Sequence, residues 1–189
     1  MTGLIILVLA GHLTASPVGW RTDGTGRYPD ATPVTSWSTE RNIIWVADLP
    51  SWSNATPVLA DEWIFVCSEP TTLVCLRRSD GRISWQKDHG FDQLADLNRS
   101  PKMPMSHGHN GYSSCTPVVD GKRVYALFGN GVAAAYGLDG QRAWIRLVEE
   151  PDHSWGHSAS PTMAGGHLIV QVEGTTISLD SQDGTTVWQ

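Results

Sequence analysis

Charge is scarce in this chain: charged residues make up 17% of its 189 positions, and no block of Lys or Arg occurs anywhere along it. With a formal net charge of -6, the sequence offers no electrostatic footprint for nucleic acid or an anionic membrane, so neither is an expected partner. Cysteine is scarce too. Three residues do not make a small-domain disulfide framework. Cys67 and Cys75 flank a predicted hairpin turn, where they either face each other or sit as two buried thiols. The signatures Gly-x-Ser-x-Gly, the phosphate loop, Cys-x-x-Cys and His-Glu-x-x-His are all missing, which removes the chemistries those patterns serve. No segment keeps a helical period, and the longest apolar run, Leu4 to Ala10, is too short to span a bilayer.

That run opens the chain as "MTGLIILVLAGHLTASP" and is followed by the small residues Thr14, Ala15 and Ser16. It reads as the hydrophobic region and cleavage zone of a secretory signal over 1–16, although no Lys or Arg precedes it. A buried first strand is the alternative. Export, to a periplasm or cell envelope, is the expectation.

Turn formers and indoles are abundant instead: 19 Gly, 11 Pro and 9 Trp. They are ordered into a repeat. The stretches starting at Ala55, Cys115 and Ala159 align on Pro57, Pro117 and Pro161, and end at Trp85, Trp144 and Trp188, which follow those prolines by 28, 27 and 27 residues. Gly81, Gly140 and Gly184 each stand four positions before the Trp, and each is preceded by Asp. Repetition on this scale means stacked supersecondary units, none of which can bury its own apolar face.

Within a unit the pattern is β. "WIFVCS", "RVYALF" and "LIVQV" are β-branched or aromatic runs, each followed by turn residues and then "TLVCL", "VAAAY" or "TISL". An Asp-Gly turn leads into a last strand carrying the Trp. A short strand after each Pro, where a missing N–H costs no ladder bond, completes four antiparallel strands. Radial units of about 40–45 residues with four strands are β-propeller blades. The all-β reading assigns units to 17–50 (partial), 51–88, 111–148 and 154–189, with an insertion at 89–110. Trp45 closes the partial unit. The Trp residues are expected to wedge between blades. Three blades and a partial one fall short of a closed ring, so the expectation is part of a longer propeller; a complete chain would have to close by self-association.

The segments "CLRRSDGRISW", "AAYGLDGQRAW" and "SLDSQDGTTVW" resemble the Ala-Leu-Asp-x-x-Thr-Gly-x-x-x-Trp repeat of pyrroloquinoline-quinone-like (PQQ-like) propellers. The resemblance covers about Trp20 to Gln189. It departs where Arg77 and Tyr136 replace the repeat's Asp, kept at Asp180, and where Asp replaces its Thr throughout. The superfamily includes quinoprotein alcohol dehydrogenases and the outer-membrane assembly lipoprotein of the β-barrel machinery. The matching residues are architectural, so the resemblance specifies a fold more than a chemistry.

Chemistry is sought on the loops that lead into each blade: "SWSNATP", "HGHNGYSSCTP" and "DHSWGHSASP". They present Trp52, Asn54, Asn110, Tyr112 and Trp155 as a rim for a protein, peptide or small polar ligand. They also gather His107, His109, His153 and His157, a candidate ligand set for zinc or copper. Met103 and Met105, in the insertion, add soft donors or simple packing. The leading reading is an exported, non-catalytic binding or scaffold module without a cofactor. One alternative is a PQQ-dependent alcohol or sugar dehydrogenase with calcium; the resemblance would then imply adjacent cysteines, and no two cysteines here are adjacent. The other is an outer-membrane assembly scaffold, whose lipid-anchored form needs a Cys just after the signal, whereas the first Cys is Cys67.

Overall fold

Alternating apolar runs broken by Asp-Gly and Gly-rich turns leave the chain few ways to bury itself except as short antiparallel strands. The computed structural model describes residues 17–29, 31–38, 40–95, 97 and 107–189. The expected signal at 1–16 and the pair Met103 and Met105 lie outside them. The described strands form three separate four-stranded antiparallel sheets, each in simple chain order. The first holds β1 (Val58–Ala60), β2 (Trp63–Ser68), β3 (Thr72–Arg77) and β4 (Ile83–Asp88). The second holds β5 (Val118–Val119), β6 (Arg123–Leu127), β7 (Val132–Gly137) and β8 (Arg142–Leu147). The third holds β9 (Thr162–Ala164), β10 (His167–Val172), β11 (Thr175–Asp180) and β12 (Thr186–Trp188). Each sheet is a propeller blade, and the first strand of each starts one residue after its proline. A 3-10 turn, Phe91–Gln93, lies near the start of the insertion.

The strand period decides which residues meet. Phe65, Cys67, Leu73 and Cys75 of blade one pack against Val124, Ala126, Phe128, Ala134 and Tyr136 of blade two. The opposite face of blade two, Tyr125, Leu127, Ala133 and Ala135, packs on Leu168, Val170, Val172, Ile177 and Leu179 of blade three. The two interfaces use alternate residues of the same strands, as sheets buried on both faces require. Cys67 pairs in register with Leu73, and Cys75 with Phe65. The two thiols therefore do not face each other across the hairpin; they are free and buried. Burial pushes the Cys75 thiol up to about 12, so it stays protonated and inert.

Among the described residues of 17–50, read from the sequence as a partial blade, isolated bridges form and no strand does. Val18 exchanges two 2.8 Å hydrogen bonds with Val119 and so covers the free edge of β5. Ala47 and Leu49 pack on Val66, Val74 and Leu76, covering the outer face of blade one.

Three inter-blade ladders explain the repeated residues. The first is the indole. Trp45 donates through Nε1 to the Arg78 carbonyl at 2.9 Å, Trp85 to that of Leu138 at 3.0 Å, and Trp144 to that of Ser181 at 3.2 Å. Each ring lies over the glycine of the next blade's turn, Gly81, Gly140 and Gly184 respectively, all at positive φ. The second is the hydroxyl before each proline. Thr56 N–H donates to Thr116 Oγ1 at 3.1 Å, and Thr116 N–H donates to Ser160 Oγ at 2.9 Å. The third joins the turn after each second strand to the next blade's rim loop. Glu69 accepts from the Tyr112 and Ser113 N–H groups at 2.8 and 2.6 Å, and the equivalent Gly129 carbonyl accepts from His157 N–H at 3.0 Å. Trp188 and Glu173 are the corresponding residues of blade three, and Trp188 is half exposed.

Candidate functional site

The three rim loops lie side by side because the ladders bring them there, and their asparagines then tie them together. Asn54 Nδ2 donates to the His109 carbonyl at 2.7 Å, and Asn110 Nδ2 donates to the Trp155 carbonyl at 2.6 Å. His107 N–H donates to the Ser154 carbonyl at 2.9 Å. The His107 ring stacks on Trp155, centroids 3.6 Å apart and planes 17° from parallel. Each amide that fastens one loop to the next removes backbone freedom before any ligand arrives.

Set against the sequence, the rim residues divide in two. Trp52 and Trp155 are exposed, at 47% and 53%, and present large rings to solvent. Asn54 and Asn110 spend their amide donors on neighbouring carbonyls and act as braces. Tyr112 is 5% exposed and is no rim contact: the Glu69 socket pulls its backbone inward and the ring follows into the interior. Sequence spacing placed it on a loop correctly but could not show which way the loop turned.

The four histidines do not converge as one ligand set. His107 is engaged by Trp155, and His109 lies 5.6 Å from His107, ring to ring. His153 and His157 meet a residue outside the expected set, Glu173. His153 Nε2 lies 3.7 Å from Glu173 Oε2 and 3.9 Å from Asp152 Oδ1, while His157 Nδ1 lies 3.7 Å from Glu173 Oε1. Asp152, His153 and Glu173 offer donor atoms all within 4.8 Å of one another. A cleft of about 490 Å³ opens beside them, lined also by Asn110, Trp155, His157 and Gln171.

Two carboxylates that shape the rim escaped sequence reading. Glu69 is buried and holds the second rim loop through two backbone N–H groups and the Ser113 hydroxyl, 2.6 Å from Oε1. Glu173 occupies the same repeat position, twelve residues after the unit's proline. That equivalence was available in the alignment. It was hidden by Gly129 at the middle position and by turns of different length.

The fold and rim define a class: a radial array of repeat blades presenting a braced loop surface. Residues 33–189 match the family described as outer membrane protein assembly factor BamB, and the chain belongs to that family of PQQ-like β-propellers. Its fold is similar to the crystal structure of BamB from Moraxella catarrhalis, with TM-score 0.54 and 19% identity over 77% of this chain and 42% of that one. It is also similar to a quinohemoprotein alcohol dehydrogenase from Pseudomonas putida HK5, with TM-score 0.54 and 19% identity over 75% and 21% of the two chains. A third similar structure is the quinohemoprotein alcohol dehydrogenase from Comamonas testosteroni, at TM-score 0.52 and 18% identity over 73% and 21%. The chain thus spans less than half the length of each of these structures. No curated protein matches the sequence significantly. Among the described residues, no helix is long and apolar enough to cross a membrane.

Proposed function

We propose that this chain is an exported binding or scaffold module that engages a protein or peptide partner through its braced rim, with Trp52 and Trp155 as the anchoring side chains. The observation that carries this reading is the pairing of exposure with rigidity. Two large indoles stand in solvent on loops that Asn54, Asn110 and Glu69 already hold in place. Rings of this kind bring contact area at low entropic cost, and the loops beneath them need little further ordering. A peptide lying along the rim would meet indole edges rather than a reactive group.

Site-specific photocrosslinking tests this in cells exporting the protein. A photoreactive residue at position 52 or 155 is expected to capture a discrete partner band, and one at Ile83, an exposed residue of β4 away from the rim loops, is not. Equal capture from all three positions, or none from the rim, refutes the rim as the binding surface.

The family's redox members support a second reading, a PQQ-dependent dehydrogenase with calcium. Calcium-dependent quinone binding and dye-linked oxidation of alcohols or sugars by the purified protein would establish it. Against it stand three isolated, buried cysteines and a rim whose convergent group mixes imidazole with carboxylate, where calcium takes oxygen ligands.

A further inference from the structure

We propose that Asp152, His153 and Glu173 form a binding site for a divalent zinc-class cation on the wall of the cleft, with His157 oriented towards the same carboxylate. The inference goes beyond the rim reading and does not depend on it.

Distance is the first argument. The separations of 3.7 and 3.9 Å from His153 Nε2 to the two carboxylates are too long for hydrogen bonds. A tetrahedral ion with bonds of about 2.1 Å holds its ligand atoms about 3.4 Å apart. The two separations from His153 therefore stand a few tenths of an ångström outside the spacing an ion would impose, and all three donor atoms lie within 4.8 Å of one another.

His157 supplies the second argument. Its Nε2 lies 3.0 Å from the Glu149 carbonyl, and a carbonyl can only accept, so Nε2 carries the proton. The other ring nitrogen, Nδ1, lies 3.7 Å from Glu173 Oε1. The ring is buried and cannot swing out to water. A backbone carbonyl that fixes the tautomer of one ring nitrogen and leaves the other to face metal is the usual second-layer arrangement at zinc sites. Glu173 is then the hub, with Oε2 turned to His153 and Oε1 to His157.

Donor chemistry selects the ion. Imidazole nitrogen with carboxylate oxygen suits zinc among the available divalent ions, while calcium and magnesium prefer oxygen alone. Two carboxylates balance the charge of one divalent ion. The open side of the cleft leaves a coordination position for a donor from solvent or from a docking partner.

The test is a calorimetric titration of the tag-free protein with zinc chloride, repeated with cobalt(II) to read coordination geometry from its visible absorption. The expected result is about one ion per chain in a tetrahedral cobalt spectrum, with affinity weakened at least about tenfold in His153→Ala and in Glu173→Gln. His107→Ala and His109→Ala are expected to bind as the unmodified protein does. The substituted groups at 153 and 173 reach solvent, so folding is retained, and circular dichroism verifies it. If Glu173→Gln does lose its fold, His153→Ala alone decides. No zinc binding, or zinc binding unchanged in His153→Ala, overturns the proposal. Preferential binding of calcium by the same residues does so too. Because no partner is present in the titration, its failure leaves the rim reading standing.

Discussion

Trp85 closes over Gly140 of the next blade. A methyl group added to that glycine would stand 2.9 Å from the indole Cγ, while Nε1 donates to the carbonyl of Leu138 two residues earlier. Gly140 also has φ of +84°, which an L side chain adopts only with strain. Gly140→Ala is thus penalised twice, by backbone conformation and by overpacking, and is expected to cost about 2–4 kcal/mol. Trp85→Ala is expected to cost about 3–5 kcal/mol through the cavity it leaves. Trp188, half exposed and with no turn above it among the described residues, should lose about 1 kcal/mol or less in the same substitution. Urea denaturation of the three variants checks the order, and a Trp188→Ala loss equal to that of Trp85→Ala would contradict it.

The hydroxyl ladder makes a separate expectation. Thr116 is buried, and its side-chain oxygen accepts from Thr56 N–H while its own N–H donates to Ser160. Thr116→Val keeps the shape but removes the acceptor, stranding a backbone donor between blades one and two. The expected loss is about 1–3 kcal/mol. Thr116→Ser retains the acceptor and should recover most of that loss. If Val and Ser variants unfold at the same urea concentration, the hydroxyl contributes nothing to blade docking.

These ladders show how far the sequence could be read. The recurrence of Pro, Asp-Gly and Trp named the blade, and even the Trp wedges, because each residue type has one dominant structural use at that spacing. The hydroxyl before each proline was visible as Thr56, Thr116 and Ser160, yet the N–H groups that donate to Thr116 and Ser160 belong to the preceding unit, 60 and 44 residues away, and no local rule connects them. The placement of Tyr112 and the role of Glu69 were hidden for the same reason. Their positions in the loops were legible, but the pull of a buried carboxylate on a neighbouring loop is a tertiary contact. The four histidines clustered in sequence and diverged in space, since a loop has no fixed period by which to sum side-chain directions.

His89 gives the fold a pH dependence. Its ring is fully buried, stacked on Phe128 at 4.6 Å, with Nδ1–H donating to the Thr71 carbonyl at 3.0 Å and no partner for Nε2 among the described residues. Burial pushes the imidazole from its ordinary 6.5 down to about 4, against smaller opposing effects of the Thr71 carbonyl and Asp88. Above pH 6.5 both folded and unfolded chains hold it neutral, and its contribution to stability is complete. As the pH falls from about 6.5 to 4, the unfolded chain takes up a proton that the folded chain refuses, so stability drops by roughly 3 kcal/mol. Below that window both forms are protonated and this loss levels off. His89→Phe keeps the stacked ring, and the Thr71 carbonyl keeps the His89 backbone N–H at 2.9 Å through the same position. Denaturation midpoints at pH 7 and pH 4.5 should therefore differ much less in His89→Phe than in the unmodified chain. An equal difference in both would assign the acid sensitivity to other groups.

Glu173 sets stability against function at one position. It sits in the two-residue loop between Val172 and Thr175 with φ of +47°, a conformation costing a non-glycine residue about 1–2 kcal/mol. Glycine would remove that strain and add back roughly half of it as unfolded-state entropy. Glu173→Gly is therefore expected to raise stability by about 0.5–1 kcal/mol, although it deletes the carboxylate facing His153 and His157. Mutations that stabilise while erasing a site are the mark of a residue kept for what it binds. A higher urea midpoint together with lost zinc binding would place Glu173 in that class. A lower midpoint would instead mean that its contacts with the two histidines outweigh the backbone strain, making Glu173 a structural member of the rim in the way Glu69 is.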